Sequence, residues 1–332
     1  MNKPLLLLFV LAGLLLAGCS PTLVAVNEDI DKEFRETFKP LNQSLVAALW
    51  KNTSRGYRRL GTKRFGEKED TALMQLVNEI YFNPQMPHTY EIVDEFYSED
   101  GGSGPVMVTS GKHGYSVSFH NNTPEYYVSV LQIQPNEQQH YLVAAIYNLE
   151  DDEWVLDKVF PVRYAMLGKT AAYMFEMAKS WEKRGFMIDA YVHAHGARNL
   201  VEHSGDHIIY KDKKEILKYR DQLAKKIEAA YSKYPIRIGA ISSSPQIFDF
   251  DMAFHEKGLY PAIHYISNVP GSDYEAQVQE AKDIKEYMTK HMPDLAQNQG
   301  YVFYRRFTLD PRVDTEPYFS NAFIDYNNNF GK

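Results

Sequence analysis

Residues 125–133 read EYYVSVLQI, residues 140–149 HYLVAAIYNL and residues 154–162 WVLDKVFPV. β-branched and aromatic side chains crowd all three runs, a composition that suits a pleated, half-buried surface. Turn chemistry separates them, at Pro135–Gln139 and Glu150–Glu153. Working backwards, Tyr90–Tyr97, Pro105–Ser110 and Tyr115–His120 repeat the pattern, with Gly101–Gly104, Lys112–Gly114 and Asn121–Pro124 between them. Connections this short favour antiparallel neighbours. The stretch 90–162 therefore predicts an antiparallel β-meander or partly closed sheet.

Helical spacing flanks the meander. From Glu28 to Trp50, Ile30, Phe34, Phe38, Leu41, Leu45, Ala48 and Leu49 recur near the helical period, with a break expected at Pro40. Residues 66–82 read as a second helix with Leu73, Leu76, Val77 and Ile80 on its apolar stripe. Between them Lys51, Arg55, Arg58, Arg59, Lys63 and Arg64 form a basic tract. These helices and the meander make a first domain, 28–163.

Residues 164–210 return to helical period. Ala178, Gly185, Ala190 and Ala197, with Trp181 on the first helix, stand at the small-residue spacing of a helical hairpin. Over about 171–204 this resembles a tetratricopeptide hairpin, although no further 34-residue copies follow. The resemblance implies a helix pair packed beside the sheet, with docking as a use for it. From 211 to 332 the order is helix 212–232, strands 234–241, 246–255 and 259–267, helix 273–291 and strand 300–308. This αβββαβ order suggests a small antiparallel sheet backed by two helices. The fold class is α+β: N-terminal helices, antiparallel meander, helical hairpin, then the αβββαβ layer. The tail from Asp310 is aromatic and Asn-rich, and Asn327–Asn329 and Lys332 are expected to be loose.

An apolar fraction of 44% and a charged fraction of 24% fit a globular chain with a real core. Twenty-four tyrosines are many. Half-buried antiparallel strands account for them most simply, and sugar- or peptide-binding surfaces are the other use. A net charge of −7 argues against nucleic acid as a general partner. The single cysteine leaves no internal disulfide and no cysteine-rich zinc site.

That cysteine sits in a telling place. Lys3 is followed by an uncharged apolar run, Leu5 to Leu16, too short to span ~30 Å of hydrocarbon, which takes about 20 residues. It has the length of a secretory signal core, so 1–18 is read as a signal peptide. Leu16, Ala17, Gly18 and Cys19 then resemble the lipobox of bacterial lipoproteins. The resemblance implies export, a lipid on the Cys19 sulfur, cleavage before Cys19 and acylation of the new amino group, with 19–27 as a lipidated tether. Ser20, not being Asp, points to the outer membrane by the sorting rule that accompanies the family. The expected partners are the membrane, through this lipid, and another envelope protein or cell-wall polymer in the periplasm.

Two polar clusters are candidates for chemistry. His193, His195, His203 and His207 lie within fifteen residues, but His193 and His195 point about 200° apart on a helix and no HExxH arrangement occurs. In the strand from Gln246, Phe248, Phe250, Met252 and Phe254 alternate onto a buried face, which puts Asp249, Asp251 and His255 on the other. Carboxylates two apart on a strand lie ~7 Å apart, a spacing for acid/base work only under a covering groove. Otherwise this is a solvated face. No nucleophile elbow, G-x-G-x-x-G sequence or calcium loop appears, so no cofactor or metal is expected. The sequence supports a tethered, non-enzymatic binding or assembly module, with a tethered hydrolase of cell-wall or sugar polymers as the alternative.

Overall fold

Strands with apolar residues on both parities must be covered on both faces, and the computed structural model covers them. It describes residues 24–51, 56, 59–61, 80, 82–202, 206–231, 235–255, 258–292, 301–309, 319–326 and 329–331. The signal peptide, Cys19, most of the expected helix 66–82, most of the basic tract and His203 lie outside these residues.

The described residues open with β1 (Ala25–Val26), a 3-10 turn (Asn27–Asp29), α1 (Lys32–Glu36) and α2 (Lys39–Lys51). Next come β2 (Tyr90–Ser98), β3 (Gly104–Thr109), β4 (Tyr115–Asn121), β5 (Tyr126–Ile133), β6 (Gln139–Glu150), β7 (Glu153–Met166) and β8 (Lys169–Thr170). Helices α3 (Ala171–Lys183) and α4 (Met187–Glu202) lead to β9 (Ile208–Tyr210) and α5 (Lys213–Tyr231). The last part holds β10 (Ile236–Arg237), β11 (Gln246–His255), β12 (Gly258–Ile266), α6 (Tyr274–His291), β13 (Tyr301–Phe307), β14 (Phe319–Tyr326) and β15 (Asn329–Gly331). The fold is α+β.

The strands stand within a few residues of the expected places, but they do not form one meander. β1-β2-β5-β6-β7-β8 make an antiparallel sheet, whereas β3 and β4 leave it and pair with β9. On one face of the large sheet, Phe38, Leu45, Val46 and Leu49 pack on Tyr127, Leu131, Val143, Ala145 and Tyr147. Phe38 stacks on Tyr127 with centroids 3.6 Å apart. Burying each such side chain is worth roughly 1.5–3 kcal/mol. Asn42, buried in this layer, donates to Ser129 Oγ at 3.0 Å and accepts from the Tyr147 hydroxyl at 2.8 Å. Pro40 lies in the first turn of α2, where its missing N–H costs nothing. The break falls before it, at Thr37–Phe38, instead of at the proline.

On the other face, Val128, Val130, Leu142, Ala144 and Ile146 share one continuous core with α3, α4 and α5 and with Ile247, Phe250, Ile263 and Tyr265 of the C-terminal sheet. The helical pair is therefore a central element of the packing. Ala178, Ala190 and Ala197 are fully buried, and Gly185 turns the corner at φ 86°. Gly196 is tighter still: a Cβ there would lie 2.3 Å from the Met252 sulfur and 2.9 Å from that of Met174.

The C-terminal sheet runs β10-β11-β12-β13-β14-β15 and is mixed, not purely antiparallel. α6 carries the chain from β12 back to the same end, and β12 and β13 pair in parallel. The tail adds two strands that the αβββαβ order lacked: β14 pairs antiparallel with β13 and β15 with β14, and Asn329, expected to be loose, belongs to β15.

Candidate functional site

The two polar clusters meet at one point. On α4, Tyr191 and His195 are four apart and share a face. On β11, Asp249 and Asp251 stand two apart; Asp249 is the register partner of His264 on β12, which in turn pairs with Arg305 on β13. His195 Nε2 lies 3.6 Å from Asp251 Oδ1. The backbone N–H of Met252 donates to the same oxygen at 2.7 Å, and that of Phe250 donates to Asp249 Oδ1 at 2.9 Å. From α5, Arg220 donates to the Tyr191 hydroxyl at 2.7 Å.

Burial sets the protonation here. It pushes His264 down to about 4, with the Asp251 carboxylate opposing and Arg305 and His195 reinforcing the shift. His195 is lowered too, first by burial and then by Arg220 and Arg198, again against Asp251. Both imidazoles are neutral at pH 7, and His195 Nδ1 and His264 Nε2 are buried without a hydrogen-bond partner. A neutral imidazole beside a carboxylate can accept and pass a proton.

The remaining candidates disperse. His193 Nδ1 lies 2.9 Å from the Asp189 carbonyl oxygen, and its ring leans on Trp181. His207 stacks on Phe160 at 3.7 Å, on the β4–β9 side of the molecule. His255 packs edge-on against Tyr301 and Phe303, at 4.4 and 5.7 Å. Their face is not fully solvated either: Ala253, Ala262 and Phe303 form a small buried cluster on it, and the Asp251 side chain is 28% exposed. The expected alternation fails at Phe248, where a bulge between Ile247 and Asp249 sets its ring against His264 and Phe307, at 5.9 and 5.2 Å. The Phe254 side chain lies outside the description. Among the described residues, no group of three His, Cys, Asp or Glu side chains is placed to hold a metal.

A second site went unread in the sequence. Asp94 and Glu95, consecutive on β2, are only 1% and 4% exposed. Tyr115 donates to Asp94 Oδ2 and Tyr127 to Glu95 Oε1, each at 2.5 Å. Burial, and then these bonds, raise both phenols well above their usual range and keep them as donors. Asn27, at φ 51°, ties the start of the chain to the pair: its Nδ2 donates to Asp94 Oδ1 at 3.1 Å and its Oδ1 accepts the Glu95 N–H at 2.7 Å. Arg35 lies 3.3 Å from Glu95 Oε2. Beside this pair runs a groove of about 550 Å³. It is lined by Glu91 to Val93 of β2 with Gln132 of β5 beside them, by Lys32, Arg35 and Glu36 of α1, and by Lys112 and His113 of the β3–β4 turn. Two adjacent acids inside an otherwise apolar strand were the available signal.

No protein-family model matches the chain, and neither a curated protein nor a solved structure matches it.

Proposed function

We propose that the chain is a lipid-anchored envelope protein of the outer membrane, facing the periplasm, whose folded part is a non-enzymatic binding or assembly module. The observation that carries this reading is the groove along β2, a concave, mixed-charge surface beside the point where the chain joins the sheet. Ala25 lies six residues after Cys19, at most about 22 Å at ~3.6 Å per residue. A lipid on Cys19 would hold the Asn27 end of the groove close to the headgroups. The partners are an envelope protein or cell-wall polymer within that distance. Replacing Cys19 with Ser should leave the protein unprocessed and absent from the detergent-extracted membrane fraction. Normal processing and equal membrane retention of the variant would end the reading.

A tethered hydrolase remains a second reading because of the contact between His195 and Asp251. It predicts that the purified chain releases soluble fragments from cell-wall sacculi and that His195→Ala abolishes the release. The binding reading predicts no release by the wild type.

A further inference from the structure

We infer that the groove binds an extended polypeptide segment of a partner, adding it to the outer edge of β2 as a short strand that sets a carboxylate against the α1 wall. The inference rests on the binding-module reading and names its ligand class.

β2 pairs with β5 from Tyr90 to Ser98 except at the bulged Val93, but its other edge pairs with β1 only at Phe96 and Tyr97. There the Asn27 side chain takes the Glu95 N–H in place of a next strand residue, and the chain leaves through the 3-10 turn. Among the described residues, no strand pairs with the edge at Glu91–Val93 beyond that point. An open edge is a template for another strand, and proteins usually cover or blunt it. Here α1 and the β3–β4 turn rise on either side, so a neighbouring sheet is kept out while a single strand, ~4.8 Å from its neighbour, has room.

Charge selects what the strand carries. On the α1 side, Arg35 is paired with Glu95 at 3.3 Å and Lys39 with Glu36 at 2.6 Å. Lys32, exposed on the same wall, already acts electrostatically on Glu36 but forms no contact ion pair with it, and so keeps room for a further carboxylate. Successive side chains of an added strand point to opposite walls. A carboxylate at one position would therefore meet Lys32, while the positions on either side of it face Lys112 and His113, with Glu91 below.

The test is panning of phage-displayed random dodecapeptides on the detergent-solubilised full chain. In parallel, cell-wall sacculi are used to pull down the same protein. The expected peptides share an Asp or Glu within an extended core and bind Lys32→Glu about ten-fold more weakly, since a like charge then faces the carboxylate. N-methylation of such a peptide should abolish binding at alternate residues only, because alternate N–H groups face the edge. Failure to enrich any peptide, or N-methyl sensitivity without that period, overturns the inference. If sacculi retain the wild type but not Lys32→Glu while no peptide is enriched, strand addition falls and the binding module stands. If neither probe binds, both fall.

Discussion

Asp251 is the residue on which the seam between α4 and the C-terminal sheet depends, because it is the anion that opposes the desolvation of both His195 and His264. Asp251→Asn removes that opposition, so both imidazoles should titrate at lower pH than in the wild type, read by NMR of the ring protons. A shift in only one of them would mean that the three groups are not coupled. The sign of the pH dependence follows as well. His264 is neutral in the fold down to about pH 4, whereas in the unfolded chain it charges near 6.5. The unfolded state binds the extra proton between these values, so stability is full above pH 6.5 and is lost as pH falls towards 4. By pH 5 the loss from this group is about 2 kcal/mol, and burial lowers His193 and His195 in the same direction. Urea unfolding at pH 7 and pH 5, with His264→Gln as the control, measures it; equal losses in the two proteins would remove His264 as the cause. Each half of this seam was visible in the sequence, and the union was not. No local periodicity relates residue 195 to residue 251, and the partnership of Asp249 with His264 exists only once the register of β11 on β12 is known.

At the scale of elements, propensity and turn chemistry located the strands well, because β-branched runs bounded by Gly, Pro and Asn leave few alternatives. Pairing was harder. That β3 and β4 would leave the meander for β9, a three-residue strand beyond two helices, depends on contacts between residues some ninety apart. The parallel join of β12 and β13 follows from where α6 ends, which local patterning does not encode. Two substitutions test the packing. Phe250 is 1% exposed in the shared core, so Phe250→Ala should cost about 3–5 kcal/mol by denaturant unfolding. A loss below 1 kcal/mol would mean that β11 faces the other way. Gly196→Val should cost roughly 1–3 kcal/mol, because the added carbons must displace Met252 and Met174. Gly196→Ala should come within about 1 kcal/mol of the wild type, its helix propensity offsetting the shift of two flexible thioethers. A harmless valine would show that α4 is looser against β11 than the close approach requires.

For the whole molecule, the organising proposal is a short anchor joined to a rigid sheet. The sheet captures Ala25 and Val26, so the spacer after Cys19 ends sooner than the tether 19–27 read from the sequence. Asn27 then fixes the exit of that segment against two buried carboxylates, so hydrogen bonds hold the groove to β1. The residues behind the proposed anchor are local in the sequence, four consecutive residues after an apolar run. Those of the groove are not, since α1, β2 and the β3–β4 turn converge from three separate stretches of chain. Site-specific photocrosslinking in cells tests the account most directly, with a benzoylphenylalanine placed at Lys32, at Lys112 or, as a control, at the exposed Lys225 on α5. The account predicts discrete adducts in the outer-membrane fraction from the two groove positions, none from position 225, and their loss when Cys19→Ser is added. Adducts equally abundant from all three positions, or unchanged by Cys19→Ser, would contradict it.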